Sequence, residues 1–204
     1  MKLLLFSDLH CNLAAAQKLL DRAGGADVAV GAGDFGQVRT RTDACMGILK
    51  QMPCPAVVVP GNAESVEELR AACAGWDRVH VLHGDGATVA GVPFWGLGGG
   101  VPVTPFGSWS YDFTEDEATR LLRDFPAGGI LVTHSPPKGC LDVDGNGTSR
   151  GSTAVRDLIL AKRPALVVCG HIHASGGRTE TFHGTPVVNA GPGGVVFDLS
   201  DPGA

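Results

Sequence analysis

At 204 residues the chain suits one α/β domain, residues 1–204, with a core large enough to be stable by itself. Its net charge of −5, from 16 basic and 21 acidic residues without a basic block, argues against nucleic-acid binding by phosphate neutralisation. Charged residues make up only 18%, below the usual level of about a quarter, and so sparsely charged a surface permits a homo-oligomer.

No apolar stretch approaches the roughly 20 residues of a membrane span. Met1–Phe6 is too short for the apolar region of a signal peptide, and Ser7-Asp8 interrupts it. The six cysteines form no C-x-x-C pair and read as reduced thiols, mostly small core residues. A cytoplasmic location is expected.

Leu3–Phe6 reads as a buried strand, followed by Asp8-Leu9-His10. If the backbone stays extended there, the spacing turns both side chains the same way. Asn12 is an N-cap for a helix through Leu13, Ala16, Leu19 and Leu20. Asp27–Val30 is a second strand and runs into Gly31-Ala32-Gly33-Asp34-Phe35-Gly36. This matches the G-x-G-x-x-G dinucleotide pattern, yet Asp34 would place a carboxylate where a pyrophosphate should sit. No acid about 20 residues further on is placed to hold a ribose either. A carboxylate at a strand end suits a cation instead.

A helix around Ala44–Lys50 precedes the strand Ala56–Val59, which ends in Pro60-Gly61-Asn62-Ala63-Glu64. A helix containing Leu69 follows. Val79–Leu82, Ala87–Ala90 and Val92–Leu97 are short strands separated by Gly-rich turns, which predicts antiparallel hairpins. Gly96–Gly100 lacks the Gly-Lys-Ser/Thr ending of a P-loop. Val101–Phe113 is rich in proline and aromatic residues, with three readings: pocket wall or lid, self-packed loop, or subunit contact.

Thr114–Arg123 reads as a helix and Gly129–Thr133 as a strand ending in His134. Asp142–Gly147 imitates the start of a calcium loop, but Thr153 stands where a bidentate Glu belongs, so a turn-rich loop is the reading. A helix over Thr153–Lys162 is stopped by Pro164. The strand Leu166–Cys169 then ends in Gly170-His171-Ile172-His173. Arg178–Phe182, Pro186–Asn189 and Val195–Leu199 are expected to form an antiparallel end.

Five strand ends thus present Asp8/His10, Asp34, Asn62, His134 and His171/His173. Three oxygen-bearing residues and four imidazoles suit two divalent ions such as Mn, Fe, Zn, Co or Ni better than a thiolate zinc site. Two such ions clamp an in-line phosphoryl displacement and lower the pKa of a bound water.

In Asp8-x-His10, Gly33-Asp34, Gly61-Asn62, His134 and Gly170-His171-x-His173 the chain resembles the calcineurin-like metallophosphoesterases over nearly its whole length. The stretches around Leu82-His83-Gly84, His134 and His171 look most like the small phosphodiesterase-type members. The resemblance implies a four-layer sandwich of two mixed β-sheets flanked by α-helices. It implies one metal on Asp8, His10, Asp34 and His173 and another on Asp34, Asn62, His134 and His171. The expected reaction is hydrolysis of a small phosphoester, diesters favoured over monoesters, by a metal-bridging hydroxide, with Asn12 and Asn62 holding phosphate oxygens. Many members carry a histidine after the asparagine as a candidate proton donor; Ala63 occupies that position here. The alternative is a metal-binding protein-interaction scaffold of the same fold with little activity. His80, His83 and His183 are read as structural.

Overall fold

The computed structural model describes residues 1–199. In chain order these form β1 (Lys2–Phe6), α1 (Leu13–Arg22), β2 (Val28–Gly31), α2 (Thr42–Leu49), β3 (Ala56–Val58), α3 (Val66–Ala72), β4 (Val79–Val81), β5 (Gly86–Val89) and β6 (Val92–Leu97). They continue with α4 (Glu115–Leu121), β7 (Ile130–Thr133), α5 (Thr153–Lys162), β8 (Leu166–Cys169), β9 (Arg178–Phe182), β10 (Thr185–Asn189) and β11 (Val195–Asp198).

The strands build two mixed sheets, ordered β11-β1-β2-β3-β4 and β5-β6-β7-β8-β10-β9. Their two-residue alternation sorts the side chains into layers. Leu3, Leu5, Val28, Val30 and Val57 of one sheet pack against Ile130, Val132, Leu166, Val168 and Val188 of the other. The opposite faces carry Leu4, Phe6, Ala29 and Val58 under α1, α2 and α3, and Leu131, Val167 and Val187 under α4 and α5. This is the expected four-layer α/β sandwich. Each of the fully buried Leu, Ile, Val and Phe side chains among these stabilises the fold by roughly 1.5–3 kcal/mol.

The expected Asn12 cap is present, three further helices are capped by side chains, and α2 starts at Arg41 without one. Asn12 Oδ1 accepts the Ala15 N–H, Ser65 and Thr114 each close a capping box with the glutamate three residues on, and Ser152 caps α5.

The expected hairpins need correction. Of these three strands only β5 and β6 pair with each other, antiparallel; β4 crosses to the other sheet and lies parallel to β3, with Val79 opposite Ala56. A glycine-rich turn announces a change of direction but not the partner beyond it, and the open edge of β3 supplies that partner. The antiparallel end divides likewise. β9 and β10 pair antiparallel, β10 lies parallel to β8, and β11 leaves to pair antiparallel with β1.

β1, β2 and β3 are mutually parallel and end flush, with Phe6 opposite Gly31 and Gly31 opposite Val58. β7 and β8 are also parallel. Their C-terminal loops therefore gather at one end of the sandwich.

Candidate metal centre

Those loops bring all seven expected ligands together. Asp8, Asp34, Asn62 and His134 are buried, His10 and His171 half-buried, and His173 exposed. The route differs from the extended one expected for Asp8 and His10. The strand ends at Phe6, and Asp8, His10 and Cys11 take left-handed φ values of 56°, 44° and 61°. Asp34 and His171 do the same, at 58° and 65°. Each such non-glycine conformation costs about 1–3 kcal/mol and persists only where its surroundings hold it. Here backbone bonds do so: Asp8 N–H donates to Gly33 O at 2.9 Å, and His10 N–H to Asp34 O at 2.9 Å. His171 N–H donates to Asp8 Oδ1 at 3.0 Å.

Two groups of donor atoms result. In one, His10 Nε2 lies 3.1 Å from His173 Nε2 and 3.4 Å from Asp34 Oδ2, and His173 Nε2 is 3.7 Å from Asp8 Oδ1. In the other, His171 Nδ1 is 3.1 Å from Asn62 Oδ1 and 3.2 Å from His134 Nε2, which is 3.5 Å from Asp34 Oδ1. Asp34 thus turns one carboxylate oxygen toward each group. One atom each from Asp8, His10 and His173 falls within a 4.8 Å cluster, as does one each from Asp8, Asp34 and His134.

The donor set fits divalent ions. Imidazole nitrogens crowd against one another and against carboxylates, an arrangement a cation relieves and protons do not. Burial, then the neighbouring imidazoles of His134 and His173, pushes His171 down to about 3, so it is neutral and can coordinate. Burial likewise lowers His10. Burial pulls His134 down, but Asp34 and Asp8 outweigh it and its pKa is raised. Burial above all raises Asp34, an anion wanting a positive partner.

Supporting contacts aim these atoms. His134 Nδ1 lies 2.8 Å from the Ala32 carbonyl, which can only accept, so Nδ1 carries the proton and Nε2 faces the site. Ser7 Oγ donates to Asp8 Oδ2, and Asn189 Nδ2 donates to Gly170 O and Ile172 O, steadying the His171–His173 turn. Gly33 and Gly61 are required: a Cβ on Gly33, at φ +90°, would lie 2.5 Å from the Gly61 backbone, and one on Gly61 would strike the Asp34 carboxylate.

Three contributors were missed in the sequence. Glu64, fully buried, accepts the backbone N–H of Asp34 and of Gly61 at 2.8 Å and of Gly36 at 2.9 Å. Its place two residues after Asn62 was the available signal. Asn62 Nδ2 donates to Ser110 Oγ at 3.1 Å, and Ser110 Oγ donates to Asp112 Oδ1 at 2.8 Å. No local pattern marks Ser110 or Asp112.

A cavity of about 630 Å³ opens over the centre. His10, Asp34, Asn62, His171 and His173 form its floor, and residues of the 102–109 stretch form one wall. Of the three readings of Val101–Phe113, the structure shows the pocket wall. The stretch also packs on itself, with Phe106 and Trp109 stacked at 5.7 Å. Asp144, Asn146 and Arg150 line the cavity from the turn-rich loop that resembled a calcium site. There Asp144 Oδ1 accepts from Asn146 and Thr148 N–H. Ala63 is on the wall, and its N–H donates to Asp34 Oδ1 at 2.8 Å. Asn12 Oδ1 caps α1, and the residue does not line the cavity. His83 is structural, its Nδ1 accepting the Gly98 N–H.

Comparison with known proteins agrees with this architecture. The protein TT1561 of Thermus thermophilus superposes with a TM-score of 0.80 at 22% identity, over 98% of this chain and 95% of that one. A phosphopantetheinyl hydrolase from Mycobacterium tuberculosis superposes with a TM-score of 0.59 at 16% identity, over 93% of this chain and 88% of that one. At these identities the likeness concerns the fold. No curated protein matches the sequence. The calcineurin-like phosphoesterase family model matches residues 1–175, which spans every candidate ligand. The chain therefore belongs to the calcineurin-like phosphoesterase family and is a metal-dependent phosphoesterase.

Proposed function

We propose that the protein hydrolyses phosphodiesters, in preference to monoesters, at two divalent transition-metal ions. One is held by Asp8, His10, Asp34 and His173, the other by Asp34, Asn62, His134 and His171. The observation that carries this reading is the division of Asp34, with Oδ2 at 3.4 Å from His10 Nε2 and Oδ1 at 3.5 Å from His134 Nε2. When bound, such ions supply Lewis-acid polarisation of the phosphate and lower the pKa of water.

The protein's own share is positional. The Asp34 carboxylate ties the two groups of imidazoles together, while Glu64 and the Gly61 backbone hold its loop. Asn12 and Asn62 are proposed to hold phosphate oxygens; of the two, Asn62 lines the cavity. The preference for diesters rests on charge. The only permanent cation among the described lining residues is Arg150, and its Nε lies 3.0 Å from Asp144 Oδ2. A singly charged diester needs less compensation than a doubly charged monoester. One domain is proposed for the whole chain, because both sheets share one buried layer. Six free thiols suit a reducing compartment and support a cytoplasmic location.

The test is to strip the protein with a chelator, reload it with Mn, Fe, Zn, Co or Ni, count bound metal, and compare bis(p-nitrophenyl) phosphate with p-nitrophenyl phosphate. Two equivalents of metal and a higher kcat/KM on the diester are expected, with Asp34→Asn weakening both sites together. At most one equivalent, or loss at only one site in that variant, would sink the bridging assignment. Absence of hydrolysis with every metal would favour a scaffold.

A further inference from the structure

Among the described residues seven large apolar side chains are exposed, and three of them, Val38, Val103 and Phe106, line the cavity over the metal centre. Scattered apolar groups on a surface mean little, but a concave cluster of them marks a place that something covers. The Trp109 ring lies nearly parallel to Phe106, 10° apart, and Pro102 and Pro105 complete the same wall. The volume of about 630 Å³ falls within the roughly 300–1,000 Å³ that accommodates a drug-sized organic molecule. A phosphate group alone needs far less.

The stretch that carries the wall is hydrogen-bonded beside the ligands. Tyr111 N–H donates to Asn62 O at 3.0 Å, Gly100 N–H to Tyr111 O at 2.9 Å, and Thr104 N–H to Asp112 Oδ2 at 2.9 Å. A group lying on this wall therefore sits beside a phosphorus bound over Asn62. Continuity with the metal centre favours part of the substrate as the occupant over a separate partner.

We propose that the Val103–Phe106–Trp109 wall is a subsite for one organic arm of the phosphodiester, and that the arm it takes is bulky and apolar. This deepens the phosphodiesterase reading and rests on it for the identity of the ligand's anionic part. Dimethyl phosphate and dibenzyl phosphate carry the same singly charged core and differ only in their arms. Their dissociation constants would be measured by calorimetry on metal-loaded protein and as inhibition of nitrophenyl ester hydrolysis. Dibenzyl phosphate should bind about tenfold tighter or more, the discrimination expected of a few buried carbons. Phe106→Ala and Val103→Ser, both at exposed positions, should each shrink that ratio by about threefold or more, with metal content as the control.

Equal affinities, or an undiminished ratio in both variants, would overturn the subsite. So would a dimer at assay concentration that Phe106→Ala dissociates without changing the ratio, because a second copy would then be what covers the wall. Tight, variant-sensitive binding of dibenzyl phosphate without hydrolysis of any ester would keep the subsite and remove the phosphodiesterase reading. Hydrolysis without arm preference would do the reverse.

Discussion

Glu64 Oε1 accepts the backbone N–H of Asp34 at 2.8 Å, although α2, β3 and their connecting loops lie between the two residues in the chain. With further bonds from Gly61 and Gly36, this buried carboxylate closes the Asp34 turn over the Asn62 turn. Glu64→Gln keeps the size but turns an N–H₂ group toward one of the backbone N–H donors. Loss of such a buried bond should cost about 1–3 kcal/mol.

The same pair makes the stability pH-dependent. Burial, then the Asp34 charge, raises Glu64 from 4.5 to about 7. Within that window the folded protein keeps a proton that the unfolded chain has released. Its contribution is therefore present below the lower value and lost as pH rises through about 7. In chelator the advantage of the natural protein over Glu64→Gln should shrink across the window, by at most about 1.4 kcal/mol per unit. Urea unfolding of both proteins checks this; a gap independent of pH would show Glu64 ionised throughout.

Ser110→Ala should weaken the metal held through Asn62. The substitution removes the acceptor of Asn62 Nδ2 and the donor to Asp112 Oδ1, freeing the amide to rotate its oxygen away from His134 and His171. Losses of about 10–100-fold in affinity follow removal of such a supporting contact. Calorimetric metal titration should find one equivalent weakened and the other unchanged, with recovery in Ser110→Thr. Equal weakening of both would point to general loosening of the fold.

Ala63 lines the cavity next to Asn62. Without a proton donor there, aryl esters should be cleaved far better than alkyl esters, since an aryl oxide tolerates its charge. Ala63→His should raise kcat/KM on alkyl esters selectively, toward the 10²–10⁴-fold or so that a positioned acid provides. The measurement is kcat/KM against leaving-group pKa for both proteins at equal metal content. A shallow dependence in the natural protein would mean that another group already supplies the proton.

Native thiol titration should find one accessible cysteine. Cys11 is half-buried, whereas Cys45, Cys54, Cys73, Cys140 and Cys169 are buried. Burial pushes Cys45 up to about 11 and Cys73 and Cys140 up to about 12, leaving almost no thiolate. A disulfide reagent near pH 8 should modify Cys11 alone, and all six after unfolding. More than one fast native thiol would contradict the buried placement.

Much of this protein could be read without coordinates. The short apolar runs before Ser7, Ala32, Val59, His134 and Gly170 are strands because their side chains must be buried, and the glycine or polar residues that follow within a few positions mark strand ends. Asn12 declares a helix start through a bond only three residues long, and Ser65, Thr114 and Ser152 make the same local bond in the structure. What such local rules leave open is partner choice. Whether Val79–Val81 pairs with β3 or folds back depends on which edge stands open. That Asp8 and His10 converge through left-handed turns depends on Gly33 and Asp34 carbonyls lying alongside. Glu64, Ser110 and the Phe106–Trp109 wall acquire their roles only when sheets and loops distant in sequence meet. Strand and helix formation are decided by neighbours along the chain, whereas ligand aim and cavity shape are decided by neighbours across it.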